Sequence, residues 1–216
     1  MAESPRQITA IRPVSTSPDR ATVRVGRKSV ATLSTKLITD LDLHVGQPWT
    51  PELEAQVAEA AAYDKALRRA MHRLARRAMS RRDLDRKLRD LDYEPAVRER
   101  VLDRLEELGY LDDAEYGRMV IRDQLARKPA GPFFLKQKLM QKGLDRELID
   151  RLVDEATAEL DQAGQAREVA ERRLRTLARF DPPTRRRRLY GLLARRGFDS
   201  EAISAALEEL REQIER

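Results

Sequence analysis

Three stretches of this chain fall into one frame: LRDLDYEPAVRERV (88–101), LMQKGLDRELIDRL (139–152) and LARRGFDSEAISAA (193–206). Leu88, Leu139 and Leu193 align, then Tyr93, Leu144 and Phe198, then Val97, Leu148 and Ala202, then Val101, Leu152 and Ala206. The copies lie 51 and then 54 residues apart. A period of this length means that each copy is one supersecondary unit, stacked on its neighbours to complete its core. The residue before the aligned aromatic or Leu is Asp92, Gly143 or Gly197, a position suited to a left-handed helix stop. Helix-starting residues follow: Asp145 and Asp199 are good N-caps, and Glu94 before Pro95 is a weaker one. Ile149 and Ile203 stand where a hydrophobic staple to Leu144 and Phe198 would form. Another amphipathic helix precedes each copy, at about 65–78, 114–127 and 165–179. The chain is therefore read as three helices, three times over.

The first fifty residues are different. QITAIRPV, ATVRV and SVATLS are short and rich in β-branched residues, separated by STSPD and GRK, which read as turns. The last two predict a hairpin across Gly26. After the apolar stretch TKLITDLDL, Thr50 and Pro51 read as the N-cap and first residue of a lead-in helix. The predicted fold is mainly α: three tandem three-helix repeats in an elongated or curved array, behind a small element containing a β-hairpin. Its divisions are 1–60 for the β-rich element and lead-in helix, then repeats at 61–112, 113–161 and 162–216.

Composition narrows the function classes. Apolar residues make up 41%, charged residues 37% and aromatics 5%, which suits thin helical modules with small cores. Cysteine is absent, excluding disulfides, thiolate metal sites and cysteine nucleophiles. His44 and His72 are far apart and have no nearby ligand partners, and no phosphate-loop, dinucleotide, zinc-protease or serine-elbow motif occurs. A binding protein without catalytic residues, metal or cofactor is expected. With no apolar run near membrane-spanning length and no signal-peptide core, a cytoplasmic location is expected too.

The net charge of +6 favours polyanions or acidic protein surfaces, and its distribution alternates. Residues 65–89 carry net +9 and 90–113 net −6; 114–143 carry +5 and 144–161 −5; 165–198 carry +8 and 199–216 −4. The first two helices of each repeat are basic and the third is acidic. Two explanations stand side by side: internal pairing between helices, or an external anionic partner. The candidate contacts in repeat one are Arg68, Arg69, Arg73, Arg76 and Arg77, flanking an expected buried stripe of Leu67, Met71, Leu74 and Ala78, followed by Arg81 and Arg82. Lys136, Lys138 and Lys142 form a sparser set in repeat two. Repeat three supplies Arg172 and Arg173, then TRRRRLYGLLARRGF (184–198) with Arg185, Arg186, Arg187, Arg188, Arg195 and Arg196. Arginines opening a helix oppose its dipole, which favours an external anion, although Asp181 is placed to cap that helix.

Other residues read as structural. Asp112 and Asp113 are an N-cap and dipole pair, not a metal site. Tyr110, Tyr116, Met119 and Val120 are expected in the core. Of Phe133 and Phe134, adjacent on a helix, one packs and one is exposed. Trp49 anchors the N-terminal element, and ARKPAGP (126–132) reads as a linker allowing a bend between repeats.

RAMSRRDLDRKL (77–88), LGYLDDAEYGR (108–118) and GPFFLKQKLMQKGL (131–144) carry a family resemblance. The chain is similar to the bacterial RecX family over about residues 61–210, most specifically in the Gly-Tyr-Leu-Asp-Asp turn. The resemblance implies a cytoplasmic regulator lying in the groove of the RecA–DNA filament and lowering RecA's ATP hydrolysis, strand exchange and coprotease activity. The charge pattern assigns the cations named above to contacts with filament and DNA, and the arginine excess of the basic helices predicts weak, nonspecific binding of single- and double-stranded DNA. A monomer is expected. The alternative is a sequence-nonspecific DNA-binding protein of helix-turn-helix-like modules. A membrane-surface role is disfavoured, because the basic helices lack a bulky apolar face to insert.

Overall fold

The computed structural model describes residues 6–158 and 160–216. The chain divides into two compact units, one holding residues up to Ala78 with Leu84–Tyr110, the other Met79–Asp83 with Leu111–Arg216.

In the first unit, β1 (Ile8–Val14), β2 (Ser17–Val25) and β3 (Lys28–Ser34) form an antiparallel sheet in the order β1-β2-β3. Val25 faces Lys28 across a two-residue turn, and Gly26 supplies the positive φ this turn requires. The β1–β2 turn is shorter than STSPD suggests, because β2 begins at Ser17. Pro18 is tolerated there because the ladder is interrupted beside Pro13 and Val14, so its missing N–H leaves no bond unmade. After the short α1 (Thr35–Asp40), Thr50 Oγ1 accepts the Leu53 N–H at 3.2 Å and opens α2 (Pro51–Arg76). The expected lead-in helix and the first helix of repeat one are thus one continuous helix. Ile8, Val23 and Leu33 of the sheet share a core with Trp49 and Val57. Arg20 of β2 donates to Asp64 of α2 at 2.5 Å and to the Thr32 carbonyl at 2.7 Å, with both charged side chains buried. Removing either partner would strand a buried charge.

α3 (Arg81–Arg89) and α4 (Pro95–Glu107) follow, and α2 packs on α4. The buried face of α2 differs from the expected stripe. Ala66 and Ala70 are fully buried and Leu67 and Leu74 half-buried, whereas Met71 and Ala78 are exposed. Small alanines allow close helix approach, which turns Met71 outward, and Ala78 lies beyond the helix end at Arg77. Tyr110 is also outside the core, 56% exposed. Its N–H closes the end of α4 by donating to the Leu105 carbonyl at 2.8 Å, and Leu111 takes the buried place.

The second unit holds α5 (Asp113–Arg127), α6 (Pro132–Gln141), α7 (Arg146–Thr157), α8 (Gln162–Leu174) with a 3-10 turn (Arg175–Leu177), α9 (Pro182–Arg195), α10 (Ser200–Glu209) and α11 (Arg211–Glu215). One core gathers Tyr116, Val120, Leu139, Leu144 and Ile149, with Met119 and Phe134 against it; Phe133 points outward. A second core gathers Leu174, Leu189, Leu193, Phe198 and Ile203. Each staple pair therefore shares one cluster.

The second helix of every repeat ends identically. Asp92, Gly143 and Gly197 all have positive φ. Their N–H groups donate to Arg89, Met140 and Ala194, and those of Tyr93, Leu144 and Phe198 return to Leu88, Leu139 and Leu193 at 3.3–3.4 Å. This is the double bond of a left-handed C-cap. Aspartate tolerates that conformation better than most residues, so Asp92 fills the glycine place.

Within the second unit, two of these caps receive a neighbouring helix start. Ser80 Oγ donates to the Lys142 carbonyl at 2.5 Å while accepting the Asp83 N–H at 3.1 Å. At the equivalent place, the Gly131 N–H donates to the Arg196 carbonyl at 2.9 Å and the Phe133 N–H to the Gly197 carbonyl at 3.2 Å. A Cβ on Gly131 would fall on the Gly197 carbonyl, and one on Gly197 would fall on the Phe134 backbone. The segment 126–132 is therefore not a free bend. It connects α5 and α6 within repeat two, buries Ala130 completely and docks on repeat three. Asp112 caps its own helix by accepting the Glu115 N–H, but Asp113 accepts the Arg81 N–H at 2.8 Å. Burial pushes the Asp113 carboxyl above the usual range, against the opposing pull of the Arg81 N–H and charge.

Two stability tests follow from these joints. Gly197→Ala combines left-handed strain with a backbone collision and should cost about 2–4 kcal/mol in urea unfolding. Gly109→Ala, also at positive φ but with open space around its Cβ, should cost about 1–2 kcal/mol. A carboxyl whose pKa is raised by folding stabilises the fold most below its unfolded pKa, and that margin is lost as pH rises through the folded value. Asp113→Asn keeps an oxygen for the Arg81 N–H and cannot ionise. Its stability relative to the parent should therefore improve as pH rises through the carboxylate range, followed by denaturant melts across that range.

Candidate functional site

The candidate cations fall into groups with different surroundings. On α2, Arg69, Arg76 and Arg77 are exposed and Arg73 is half-buried, and no ion pair joins these four to a carboxylate among the described residues. Arg68 differs, sharing Asp64 at 3.6 Å with the buried Arg20. Arg81 lends its backbone N–H to Asp113, and the Arg82 side chain lies over Gly143.

The lysines of repeat two are partly committed to their own repeat. Lys136 donates to Asp150 at 2.6 Å and lies 3.8 Å from Asp154, both on α7. That hydrogen bond to Asp150 raises the Lys136 pKa, and it lowers the Asp150 pKa. Lys138 donates to Gln124 Oε1 at 2.6 Å, and burial, then the charges of Lys142 and Arg127, lower its pKa. Lys142 is half-buried beside the Ser80 joint. Arg167 of α8 likewise reaches Glu209 of α10 at 2.9 Å. These acidic third helices thus neutralise cations of their own repeat.

The arginines of repeat three divide. Asp181 caps α9 by accepting the Thr184 N–H at 3.1 Å. That contact with Thr184 holds its carboxyl below the usual range, with Arg187 adding to the effect. Arg185 turns back and donates to the carbonyls of Phe180 at 2.7 Å, Ala178 at 2.7 Å and Ile214 at 3.1 Å. It is a structural clamp. Arg186 is exposed and stands apart from the others.

The remaining cations converge on one cleft of about 760 Å³. α9 contributes Arg187, Arg188, Arg195 and Arg196, and α8 contributes Arg172 and Arg173. Val169, Leu177, Leu192 and Gly191 supply an apolar floor, and no carboxylate lines it among the described residues. Arg188 stacks on the Phe180 ring at 3.8 Å, Arg172 pairs with Glu168, and Arg196 donates to the Pro129 carbonyl at 3.3 Å. The sequence reading missed two members, Arg127 and Lys128, which reach the same cleft from the α5–α6 connection. They lie far from α9 in the sequence, and only the Gly131–Gly197 docking brings them there. The signal available was the pair of tight-turn glycines.

Three consecutive three-helix modules behind a small antiparallel sheet, carrying cations on their first and second helices, define a tandem helical-repeat protein. Family models for the first, second and third three-helix domains of RecX match residues 62–105, 112–152 and 161–207. The Regulatory protein RecX of Prosthecochloris aestuarii is 37% identical over 146 residues, covering 68% of this chain and 93% of that protein. Its counterpart from Xanthomonas oryzae pv. oryzae is 37% identical over 140 residues, covering 65% and 85%. A crystal structure of regulatory protein RecX shares the fold with a TM-score of 0.82 at 22% identity, covering 94% of this chain and 99% of that one. RecX from Lactobacillus salivarius matches with a TM-score of 0.64 at 20% identity, covering 69% and 97%. The chain belongs to the RecX family, whose relatives carry the name of regulatory proteins. Among the described residues, no helix is long and apolar enough to cross a membrane.

The division of the arginines has a direct test. Arg185→Ala orphans three carbonyls and should cost about 1–3 kcal/mol in thermal or urea unfolding. Arg186→Ala, one position away, should stay within about 0.5 kcal/mol of the parent.

Proposed function

We propose that this protein binds the RecA–DNA filament in the cytoplasm as a monomer and restrains RecA's ATP hydrolysis, strand exchange and coprotease activity, so limiting recombinational repair and the SOS response. The observation that carries this reading is the match to all three RecX domains in order along the chain. The exposed cations of α2, α8 and α9 support it, since a nucleoprotein filament presents repeated phosphates and acidic protein edges to a serial array of small modules. Arg69, Arg73, Arg76 and Arg77 contact the filament from repeat one, and the cleft arginines contact it from repeat three. The protein acts by occupancy and has no catalytic step, metal or cofactor of its own. Free single- and double-stranded DNA are bound weakly and without base readout, the exposed cations serving phosphates whose affinity comes from counterion release.

The test is ATP hydrolysis by the cognate RecA on single-stranded DNA, titrated with this protein. Substoichiometric protein should lower the rate, because modules in series touch more than one RecA protomer. An unchanged rate at equimolar protein contradicts the proposal. The variant with Arg69, Arg73, Arg76 and Arg77 all changed to alanine should keep its helicity, since alanine is the best helix former. It should lose inhibition at a ratio where the parent does not saturate; full inhibition would make that face merely solvated.

A further inference from the structure

We infer that the cleft bounded by α8, α9 and the α5–α6 connection is a binding site for the phosphodiester backbone of a single nucleic-acid strand. This deepens the filament reading, on which it rests for its biological setting, by assigning one DNA-contacting site. Its test omits RecA, so failure here and failure of that reading are separate results.

Charge comes first. Eight cations line one concavity that no carboxylate enters among the described residues. Several cations elsewhere in this unit are matched: Lys136 with α7, Arg167 with α10, Arg211 with Glu208 and Glu215. In the cleft, no ion pair to a carboxylate is formed by Arg127, Lys128, Arg173, Arg187 or Arg195 among the described residues. Holding this many like charges together is unfavourable without an anion, and an extended polyanion relieves it by releasing counterions.

Chemistry comes second. Seven of the eight cations are arginine, whose planar fork matches phosphate oxygens in pairs. The floor of Val169, Leu177 and Leu192 offers apolar surface to sugars and base faces, but among the described residues no aromatic ring lines the site for stacking. Binding is therefore driven by backbone and indifferent to sequence. A run of carboxylates in a peptide would meet the charge but would not exploit the fork geometry as fully.

Shape comes third. The volume, about 760 Å³, lies in the range of ligand clefts, about 300–1,000 Å³. An unpaired strand can turn its backbone into a concavity of this volume, whereas in a duplex both backbones are held by pairing. The walls are held in place, because the α5–α6 connection is fastened by Gly131 to the Arg196 carbonyl and by Arg196 to the Pro129 carbonyl. Arg127 and Lys128 therefore face α9 across a preformed gap.

The test is fluorescence anisotropy of a labelled oligothymidylate with the full chain over a range of salt. Changing Arg173, Arg187 and Arg195 to alanine should weaken binding about tenfold or more and reduce the magnitude of the log–log salt slope by about 2. Changing Arg118, Arg122 and Arg151, exposed arginines outside the cleft, removes equal charge and should change affinity less than about threefold. Equal losses from both triples would overturn the proposal in favour of diffuse surface charge. Duplex of the same nucleotide concentration competing as well as single strand would also overturn it. So would full displacement by stoichiometric nucleoside triphosphate, indicating a small polyphosphate ligand, or by an oligoaspartate peptide, indicating an acidic protein partner. Should the cleft triple fail to fold by circular dichroism, photocrosslinks from iodouracil-substituted strand decide on the unaltered protein. Crosslinks within 127–129, 169–177 and 187–196 support the site, and crosslinks elsewhere overturn it.

Discussion

A helix that ends in a left-handed residue exposes its last carbonyls beside a backbone with no side chain in the way. In the second unit of this protein those carbonyls are where the next piece of chain attaches. Ser80 finds the Lys142 carbonyl and Gly131 finds the Arg196 carbonyl, at equivalent places one repeat apart. The contact needs glycine twice over at the second joint, because a Cβ on either Gly131 or Gly197 would collide with backbone. The hydrophobic clusters beneath α6 and α9 are separate, so this backbone contact is a principal fastening between repeats two and three. Backbone-to-backbone docking of this kind is short and directional, and it fixes register more tightly than apolar burial alone.

That fastening also organises the charge. Acidic third helices draw Lys136 and Arg167 into pairs within their own repeats, while Arg173 of α8 and Arg187 and Arg195 of α9 form no ion pair among the described residues. Docking the α5–α6 connection on the cap of α9 then adds Arg127 and Lys128 to the same concavity. A repeat protein with alternating charge thereby acquires a concentrated cationic cleft, although each exposed pair on its own contributes little to stability.

Much of this was legible in the sequence. The repeat frame, the positions of the left-handed caps, the staples and the roles of Trp49 and Asp112 all follow from local rules, since each depends on residues within a turn or two. The misreadings share a tertiary origin. Periodicity placed Met71 and Ala78 in the buried stripe, but close packing through Ala66 and Ala70 rotates the face. Tyr110 looked like core because aromatic residues usually are, yet it serves the cap by its backbone and leaves the interior to Leu111. The Pro-Gly content of 126–132 signals a turn without revealing that the turn is clamped. Among the candidate cations, a run of four arginines cannot reveal that Arg185 folds back on three carbonyls while Arg187 and Arg188 face a cleft. Composition gives the charge of a surface, and only packing says which charges are free to meet a ligand.

The central claim is that the cationic faces of the repeats, and not their acidic third helices, meet the filament. Hydrogen–deuterium exchange, followed by mass spectrometry on the protein alone and on a cognate RecA–single-strand filament, tests it most directly. The account predicts slowed exchange in α9 and the α5–α6 connection, with α7 and α10 unchanged on their acidic faces. Protection confined to α7 and α10, with α9 exchanging as in the free protein, would contradict it.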